Sequence, residues 1–430
     1  MATGIMSWSR GLARSLAAFL PITALTACTL DVTNPNAAPA ATVLNTPAGL
    51  RTLGVGLQGK LGNFIGPSVT LTGIVAGELG NTNASLSTTR EFQRYPVATA
   101  NSAAIDPTNS DLLNFWSTGF QVVKTANDVL DNVDKVGLPA GTRSGLSALA
   151  KTAKAFAYGQ MIEAWPQLPL DVTKSPPGYN PRAEVLVQTL ALLASARTDL
   201  ATTPVSSEFT TGVLQASIDL LNTIRALQAR YSLATGSYDA AIAFANEVPA
   251  TATSRYTYST VDPNPIWASA IANGYFAVIS TFRTDAEAGD TRVDKFTQPT
   301  LITPTPFGGA NLNPLNVYRT SADPYALFSQ DELSLIRAEA YARTNRLPEA
   351  IAQINVVRAN AGLGPQSIAT LPTQAAVLDE IYRQRRYALF ATGTRWADER
   401  RFGRISEART TWLPYPAQET VGNPNPPTTP

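Results

Sequence analysis

Apolar residues recur at intervals of three and four along most of this chain, and this spacing is the feature that most restricts its fold. Such intervals place side chains on one face of an α-helix. The pattern predicts helices at 47–63, 111–134, 142–164, 182–200, 210–234, 238–248, 330–344, 347–361, 374–391 and 394–401. Within 111–134 it is carried by Leu112, Phe115, Trp116, Phe120, Val123, Ala126, Val129 and Leu130. The chain is therefore predicted to be mainly α.

Two stretches, 226–248 and 335–357, resemble each other at an offset of 109 residues. Gly236 of the first aligns with Asn345 of the second, and these two residue types most easily adopt the left-handed conformation that ends a helix. Each stretch is predicted to be a helix–turn–helix hairpin. The similarity favours tetratricopeptide-like pairing, and two ordinary antiparallel hairpins are the alternative.

The segment 249–329 has a different composition, rich in Pro, Thr, Asn and Gly, with scattered aromatic residues. It predicts long irregular loops with a short strand pair. Loops of that length in a compact domain usually serve a function.

The N-terminal residues 1–27 are typical of a signal peptide. Two arginines precede the apolar run 16–27, which is shorter than the ~20 residues that span a bilayer. The run ends at Leu-Thr-Ala before Cys28, a sequence similar to the lipobox of bacterial lipoproteins, in which the cysteine thiol carries a lipid. The alternative is a secretory signal that ends beside a cysteine by chance. The Pro- and Asn-rich residues 28–45 are predicted to form a tether.

Composition excludes several classes of function. The chain has no histidine and one cysteine, which rules out His-dependent catalytic triads and intrachain disulfides. A net charge of +1 gives no field for nucleic-acid binding. The glycines of 54–59 form a GxGxxG pattern inside a predicted helix, without the strand that a dinucleotide site needs. No cofactor and no metal site are expected.

Neighbouring acidic residues do not form a hydrolytic pair, because adjacent helical side chains point about a hundred degrees apart. Glycoside hydrolysis needs two carboxyl groups facing each other across a sugar. Scaffold ion pairs with Arg337, Arg385 and Arg395 are predicted instead for Asp331-Glu332, Asp379-Glu380 and Asp398-Glu399.

The C-terminal third contains an ordered series of motifs, which are Arg337-Ala338-Glu339-Ala340, Asn355 to Gly362, Arg385-Arg386 to Leu389, Arg395-Trp396-Ala397-Asp398, Arg401-Phe402-Gly403 and the tail 413–425. This series resembles the SusD/RagB-like family of lipoproteins. Upstream, Phe115-Trp116 with Ala126-Asn127 and the turn 164–170 are also similar to family motifs. Gln384 and Ala388 depart from the family's usual acidic residues, and Trp165 or Pro166 replaces its turn glycine. We expect these departures to weaken salt bridges inside the scaffold.

The resemblance implies a single SusD-like α-helical domain at 46–430, with a loop-rich insertion at 249–329 and the family's C-terminal region at 330–430. The implied fold is a tetratricopeptide-like helix-pair scaffold of four pairs with long irregular loop insertions. It further implies a lipid-anchored protein on the outer face of the outer membrane, which passes oligosaccharides or peptides to a TonB-dependent (SusC-like) transporter. No catalysis is implied.

Sugar recognition combines flat aromatic faces with polar side chains. Ligand-binding residues of these types are expected in loops and not in the scaffold helices. The candidates are Asn81, Asn83, Arg90, Phe92, Tyr95, Tyr256, Tyr258, Trp267 and Tyr275. For each aromatic residue, packing in the core is the alternative. Trp116, Trp396 and Trp412 are expected to be structural, as are Asp290 and Arg292. A lipoprotein scaffold for envelope assembly remains the second hypothesis and a hydrolase the third.

Overall fold

A computed structural model describes residues 43–82, 91–92, 94, 104–302, 311–421 and 423–427. These residues all fall within one compact unit, Ala40–Pro430. The predictions for Cys28, for the signal peptide and for nearly all of the tether lie outside the described residues. The same holds for the ligand candidates Asn83, Arg90 and Tyr95.

The scaffold helices confirm a mainly α protein and match the helical spacing of the sequence, except that the predicted helix 210–234 is interrupted between Gly212 and Leu220. They are α1 (Pro47–Val75), α2 (Ser110–Asn132), α3 (Ala140–Met161), α4 (Arg182–Thr202), α5 (Ser207–Gly212), α6 (Leu220–Ala234) and α7 (Tyr238–Asn246). Short helices α8 (Pro265–Trp267), α9 (Thr281–Thr284) and α10 (Arg292–Phe296) follow in the loop-rich segment. The C-terminal helices are α11 (Gln330–Arg343), α12 (Leu347–Asn360), α13 (Gln374–Ala388), α14 (Arg395–Arg401) and α15 (Ala417–Thr420).

The two similar stretches do form helix hairpins. α6 packs on α7, α11 packs on α12, and α7 also packs on α11. Gly236 has φ = 76° and Asn345 has φ = 60°, so both turn residues adopt the left-handed conformation that their residue types favour. Neighbouring pairs continue toward the N-terminus, where α4 packs on α3 and α3 on α2. The predicted helix-pair scaffold is confirmed.

Short antiparallel strands cross the loop-rich segment. β1 (Leu79–Asn81) pairs with β5 (Phe276–Ile279), which pairs in turn with β6 (Leu312–Asn313). Two further pairs join β2 (Gln167–Leu168) to β3 (Asn180–Pro181) and β4 (Ser254–Tyr256) to β7 (Tyr325–Phe328). The β1–β5 pair fixes the loop-rich segment to the end of α1.

Buried ion pairs hold the C-terminal helices together. Arg385 of α13 contacts Asp398 of α14 at 2.8 Å, and Arg401 contacts Glu339 of α11 at 2.8 Å. Three of these partners are less than 4% exposed. Asp398 and Glu399 thus pair with Arg385 and Arg395 as predicted. Glu332 and Glu380 also form ion pairs, but with Arg230 and Arg358. Arg337 bonds to the side chain of Gln353 and not to a carboxylate.

Asp290 and Arg292 form the structural turn that the sequence predicts, with a buried ion pair of 2.7 Å. The departure at Gln384 is accommodated here. Its amide oxygen accepts a hydrogen bond from Arg292 at 2.8 Å, and its amide nitrogen donates to Glu380 at 2.9 Å. The neutral glutamine thus bridges two charged groups in place of the family's acidic residue.

The chain's tail packs against helices from its first half. The indole nitrogen of Trp165 donates to the carbonyl oxygen of Pro414 at 2.9 Å, and that of Trp116 donates to Glu419 at 2.9 Å. The ring of Tyr415 lies edge-on to Trp116, with centroids 5.7 Å apart. Residues 413–419 therefore complete the core over α2 and α3. None of the described helices has the length and apolarity needed to cross a membrane.

Candidate functional site

An open groove runs between the second half of α1, the first half of α2 and the segment 265–276. Its volume is about 490 Å³, within the range of small-molecule sites. We call it the α1–α2 groove. It is lined by Asn63, Gly66, Pro67, Thr70, Leu71 and Ile74 of α1, by Asp111, Asn114, Thr118 and Gln121 of α2, and by Pro265, Ser269, Tyr275 and Phe276.

Two glycines one helical turn apart on α1 allow residues of the loop-rich segment to lie close to the backbone of this helix. A Cβ atom on Gly66 would lie 2.6 Å from the Cβ of Pro265, and one on Gly62 would lie 2.5 Å from the ring of Tyr256. Both distances are too short for real atoms. The loop-rich segment therefore rests directly on the backbone of α1.

The backbone of Tyr275 is held on both sides. Its N–H donates to the carbonyl oxygen of Ser269 at 2.9 Å, and its carbonyl oxygen accepts from the N–H of Thr82 at 2.9 Å. The ring is half-buried and lies edge-on to Phe276, with centroids 6.4 Å apart. Tyr275 thus gives the groove an aromatic side chain on a backbone that is held in place.

One buried side-chain atom of the groove makes no hydrogen bond to the described part of the protein. One carboxylate oxygen of Asp111, Oδ2, is buried without a partner. Residue 67 is a proline and has no N–H, so it cannot make the helical hydrogen bond to the carbonyl of Asn63. In contrast, the hydroxyl of Thr70 already donates to Gly66 at 3.0 Å, and that of Thr118 to Asn114 at 2.7 Å.

This combination suits a ligand that carries both hydroxyl groups and apolar C–H surface. A carboxylate oxygen at Asp111 accepts hydrogen bonds, an amide at Asn114 donates and accepts them, and Tyr275 offers an aromatic ring. The described residues contain no cluster of three acidic or thiol side chains that could hold a metal ion.

The structure brings one sequence candidate, Tyr275, into the groove and places the five other described candidates elsewhere. Phe92, Tyr256 and Tyr258 are buried in the core, at most 7% exposed. The hydroxyl of Tyr258 donates to the carbonyl of Gly62 at 3.2 Å. Protein covers these three rings, so none can stack on a sugar, and in this structure they serve packing instead.

The other two described candidates also have structural contacts. Asn81 is fully buried in β1, opposite Phe276. Trp267 is half-buried and packs against the main core. Asp111 and Asn114 were not among the sequence candidates, because loops were expected to bind the ligand and both residues lie on α2.

A second, smaller cavity lies at the other end of the β1–β5 pair. Its volume is about 170 Å³, and we call it the Glu78 cavity. It is lined by Ala76, Gly77, Glu78, Arg94, Thr281, Phe282, Asp285, Arg386, Arg395 and Glu407. Burial raises the pKa of Glu78 to about 8, against the opposing attraction of Arg395. Burial likewise raises the pKa of the nearby Glu399 to about 7.

Comparison with known proteins places these features in context. Residues 330–429 match the model of the SusD family. A comparison with curated protein sequences found no match. Among solved structures, a SusD superfamily protein from Bacteroides fragilis is 17% identical, with a TM-score of 0.70 over 90% of this chain and 100% of that one.

Two further structures have the same fold. A SusD-like carbohydrate binding protein from Bacteroides vulgatus is 16% identical, with a TM-score of 0.66 over 84% of each chain. Surface glycan-binding protein A from Bacteroides thetaiotaomicron, in complex with laminarihexaose, is 15% identical, with a TM-score of 0.68 over 89% of this chain and 98% of that one. Residues 330–429 thus match the SusD family model, and the chain has the SusD-like fold. The resemblance found in the sequence is confirmed.

Proposed function

We propose that this protein binds an oligosaccharide in the α1–α2 groove and delivers it to a TonB-dependent, SusC-like transporter at the outer membrane. The proposal includes no catalytic step. The observation that carries it is a groove lined by the half-buried Tyr275 ring together with the Asp111 carboxylate, amides and hydroxyls. A solved structure of the same fold, surface glycan-binding protein A, holds laminarihexaose, which supports the ligand class.

A peptide is the alternative ligand class. Asp111 is the one charged side chain among the residues that line the groove, whose other polar groups are amides and hydroxyls. A peptide would need partners for its own backbone N–H and C=O groups. The uncharged amides and the aromatic ring favour a neutral oligosaccharide.

Binding of a panel of neutral oligosaccharides, measured by calorimetry, tests the ligand. We expect Tyr275→Ala to weaken binding about tenfold, the loss of roughly 1.5 kcal/mol that an aromatic contact contributes. Tyr238→Ala is the matched control, because this half-buried tyrosine lies on α7 in a separate core cluster. Equal affinity in wild type and Tyr275→Ala, or binding of peptides alone, would remove the proposal.

Membrane attachment is proposed through a lipid on Cys28. We expect fractionation to find the protein in outer membranes and Cys28→Ser in the soluble fraction, because the serine hydroxyl does not accept the lipid. Incorporation of a labelled fatty acid into wild type and not into Cys28→Ser checks the chemistry. Equal labelling of both forms would contradict the anchor.

The transporter partner is tested by purifying a tagged form from gently solubilised native membranes. A stoichiometric TonB-dependent barrel is the expected companion. Recovery of envelope-assembly factors without such a barrel would favour the second hypothesis, a tetratricopeptide-like lipoprotein scaffold.

A further inference from the structure

Three hydroxyl groups line the α1–α2 groove, one from each of its walls, and all three have already used their hydrogen. Each donates to the backbone carbonyl four residues earlier, at 3.0 Å for Thr70, 2.7 Å for Thr118 and 2.9 Å for Ser269. A hydroxyl carries one hydrogen and two lone pairs. These oxygens can therefore still accept a hydrogen bond from a ligand, but they have no hydrogen left to donate.

The carboxylate of Asp111 is a further acceptor in the lining. An ionised carboxylate has lone pairs and no hydrogen, and Asp111 is the one charged side chain of the groove. Thr70 is 8% exposed, and Thr118, Ser269 and Asp111 are half-buried. The less exposed polar side chains of the groove thus all present acceptors.

The amide donors lie in the more exposed part of the lining. Asn63, Asn114 and Gln121 are exposed, and a side-chain amide carries two hydrogens on its nitrogen. The amide oxygen of Gln121 accepts from Lys60 at 3.2 Å, so its nitrogen is the group left for a ligand. Acceptors inside and donors outside give the groove a hydrogen-bonding polarity.

We propose that the groove selects sugars whose inward-facing groups donate hydrogen bonds, and that it rejects uronic acids, in which a carboxylate replaces the C6 hydroxymethyl group. A sugar hydroxyl turns its hydrogen toward the lone pairs of Thr118 and Asp111. A uronic acid carboxylate offers no hydrogen there and is repelled by the charge of Asp111, so both groups stay unpaired. This inference rests on the proposed function and narrows its substrate class.

Calorimetry on laminarihexaose, cellohexaose and maltohexaose, each beside its C6-oxidised form, tests the selection. We expect the neutral form of the sugar that binds to bind at least about tenfold more tightly than its oxidised form, because a site that pairs hydroxyl groups discriminates strongly against an analogue that cannot pair with it. Equal affinity for the two forms would overturn this inference and leave the proposed function standing. If no neutral oligosaccharide binds, the proposed function fails and the inference with it.

Substitution of Asp111 tests its part in the selection. Asp111→Asn keeps the shape of the side chain, removes the charge and adds N–H donors. We expect the preference for the neutral form to fall to about threefold or less, through a gain in affinity for the oxidised form. A preference unchanged from wild type would overturn the role of Asp111.

The hydroxyl of Thr118 is tested with a matched control on the same helix. Thr118→Val should weaken binding of the neutral sugar about three- to tenfold, because one acceptor is lost, whereas Thr118→Ser keeps the hydroxyl and should bind as wild type does. Thr125→Val is the control, since the Thr125 hydroxyl also donates to the carbonyl four residues earlier, at 2.8 Å, but does not line the groove. Equal losses in Thr118→Val and Thr125→Val, or in Thr118→Val and Thr118→Ser, would overturn the assignment.

Discussion

We expect the free energy of unfolding to fall as the pH rises from 5 to 8, chiefly because of Glu78. Burial raises its pKa from 4.5 to about 8 in the folded protein, whereas unfolding returns the carboxyl group to water and to its ordinary pKa. Between these two pKa values the folded protein holds a proton that the unfolded chain has released. Each added pH unit therefore favours unfolding. The stabilisation is complete below the ordinary pKa of a glutamate and is lost as the pH approaches the pKa of Glu78 in the folded protein.

The expected size of the effect follows from one proton. Each pH unit between the two pKa values is worth about 1.4 kcal/mol, so about 4 kcal/mol is lost between pH 5 and pH 8. Glu399, with a pKa raised to about 7, adds a loss of the same sign over the lower part of this range. The pKa values of Glu339 and Asp398 are lowered, so these groups titrate below it.

Histidine, the side chain that ordinarily titrates between pH 5 and 8, does not occur in the chain and therefore does not contribute to the measured pH dependence. Urea unfolding at several pH values, followed by tryptophan fluorescence, measures the loss. Glu78→Gln imitates the protonated carboxyl and should flatten the pH dependence by about 1.4 kcal/mol per unit. Glu349→Gln, an exposed position on α12, is the control. Identical pH dependence in wild type and Glu78→Gln would refute the reasoning.

Two further substitutions test the packing described above. Gly62→Ala should lower the free energy of unfolding by about 1 to 3 kcal/mol, because the added Cβ would lie 2.5 Å from the Tyr256 ring. Gly59→Ala, with open space around it, is the control and should be neutral or stabilising. Urea midpoints that rank the two variants in the opposite order would contradict the packing. Asp398→Ala should cost about 3 to 5 kcal/mol, because it leaves the buried Arg385 without its carboxylate. A loss below about 1 kcal/mol in thermal or urea unfolding would show that this ion pair is not needed.

Helices were predicted well from the sequence, since a 3.6-residue period is a local property of the chain. The main difference is α1, predicted to end at 63 and observed to continue to Val75. Polar residues in its second half hide the helical pattern. Their hydroxyls are satisfied inside the helix itself, since Ser68 donates to the carbonyl of Ile65 at 2.9 Å and Thr70 to that of Gly66 at 3.0 Å.

The site was predicted less well, because exposure in a loop is decided by tertiary packing. Tyr256 and Tyr275 lie in the same irregular segment, and nothing in their sequence neighbourhood tells that one is buried and the other lines the groove. The difference arises at Gly62, which admits the Tyr256 ring. A signal for the missed residues did exist, because Asp111, Asn114, Thr118 and Gln121 form a polar stripe at helical spacing.

The contacts of the tail bear on how the protein is made. Trp116 and Trp165 are covered by residues 413–419, which leave the ribosome about 250 residues after Trp165 does. Domains tend to fold in the order of synthesis, yet α2 and α3 cannot finish their core in that order. A chain interrupted near residue 400 would display two tryptophans to proteases and chaperones. For a chain exported as we propose, a core that closes last keeps the polypeptide loose until all of it has crossed the membrane.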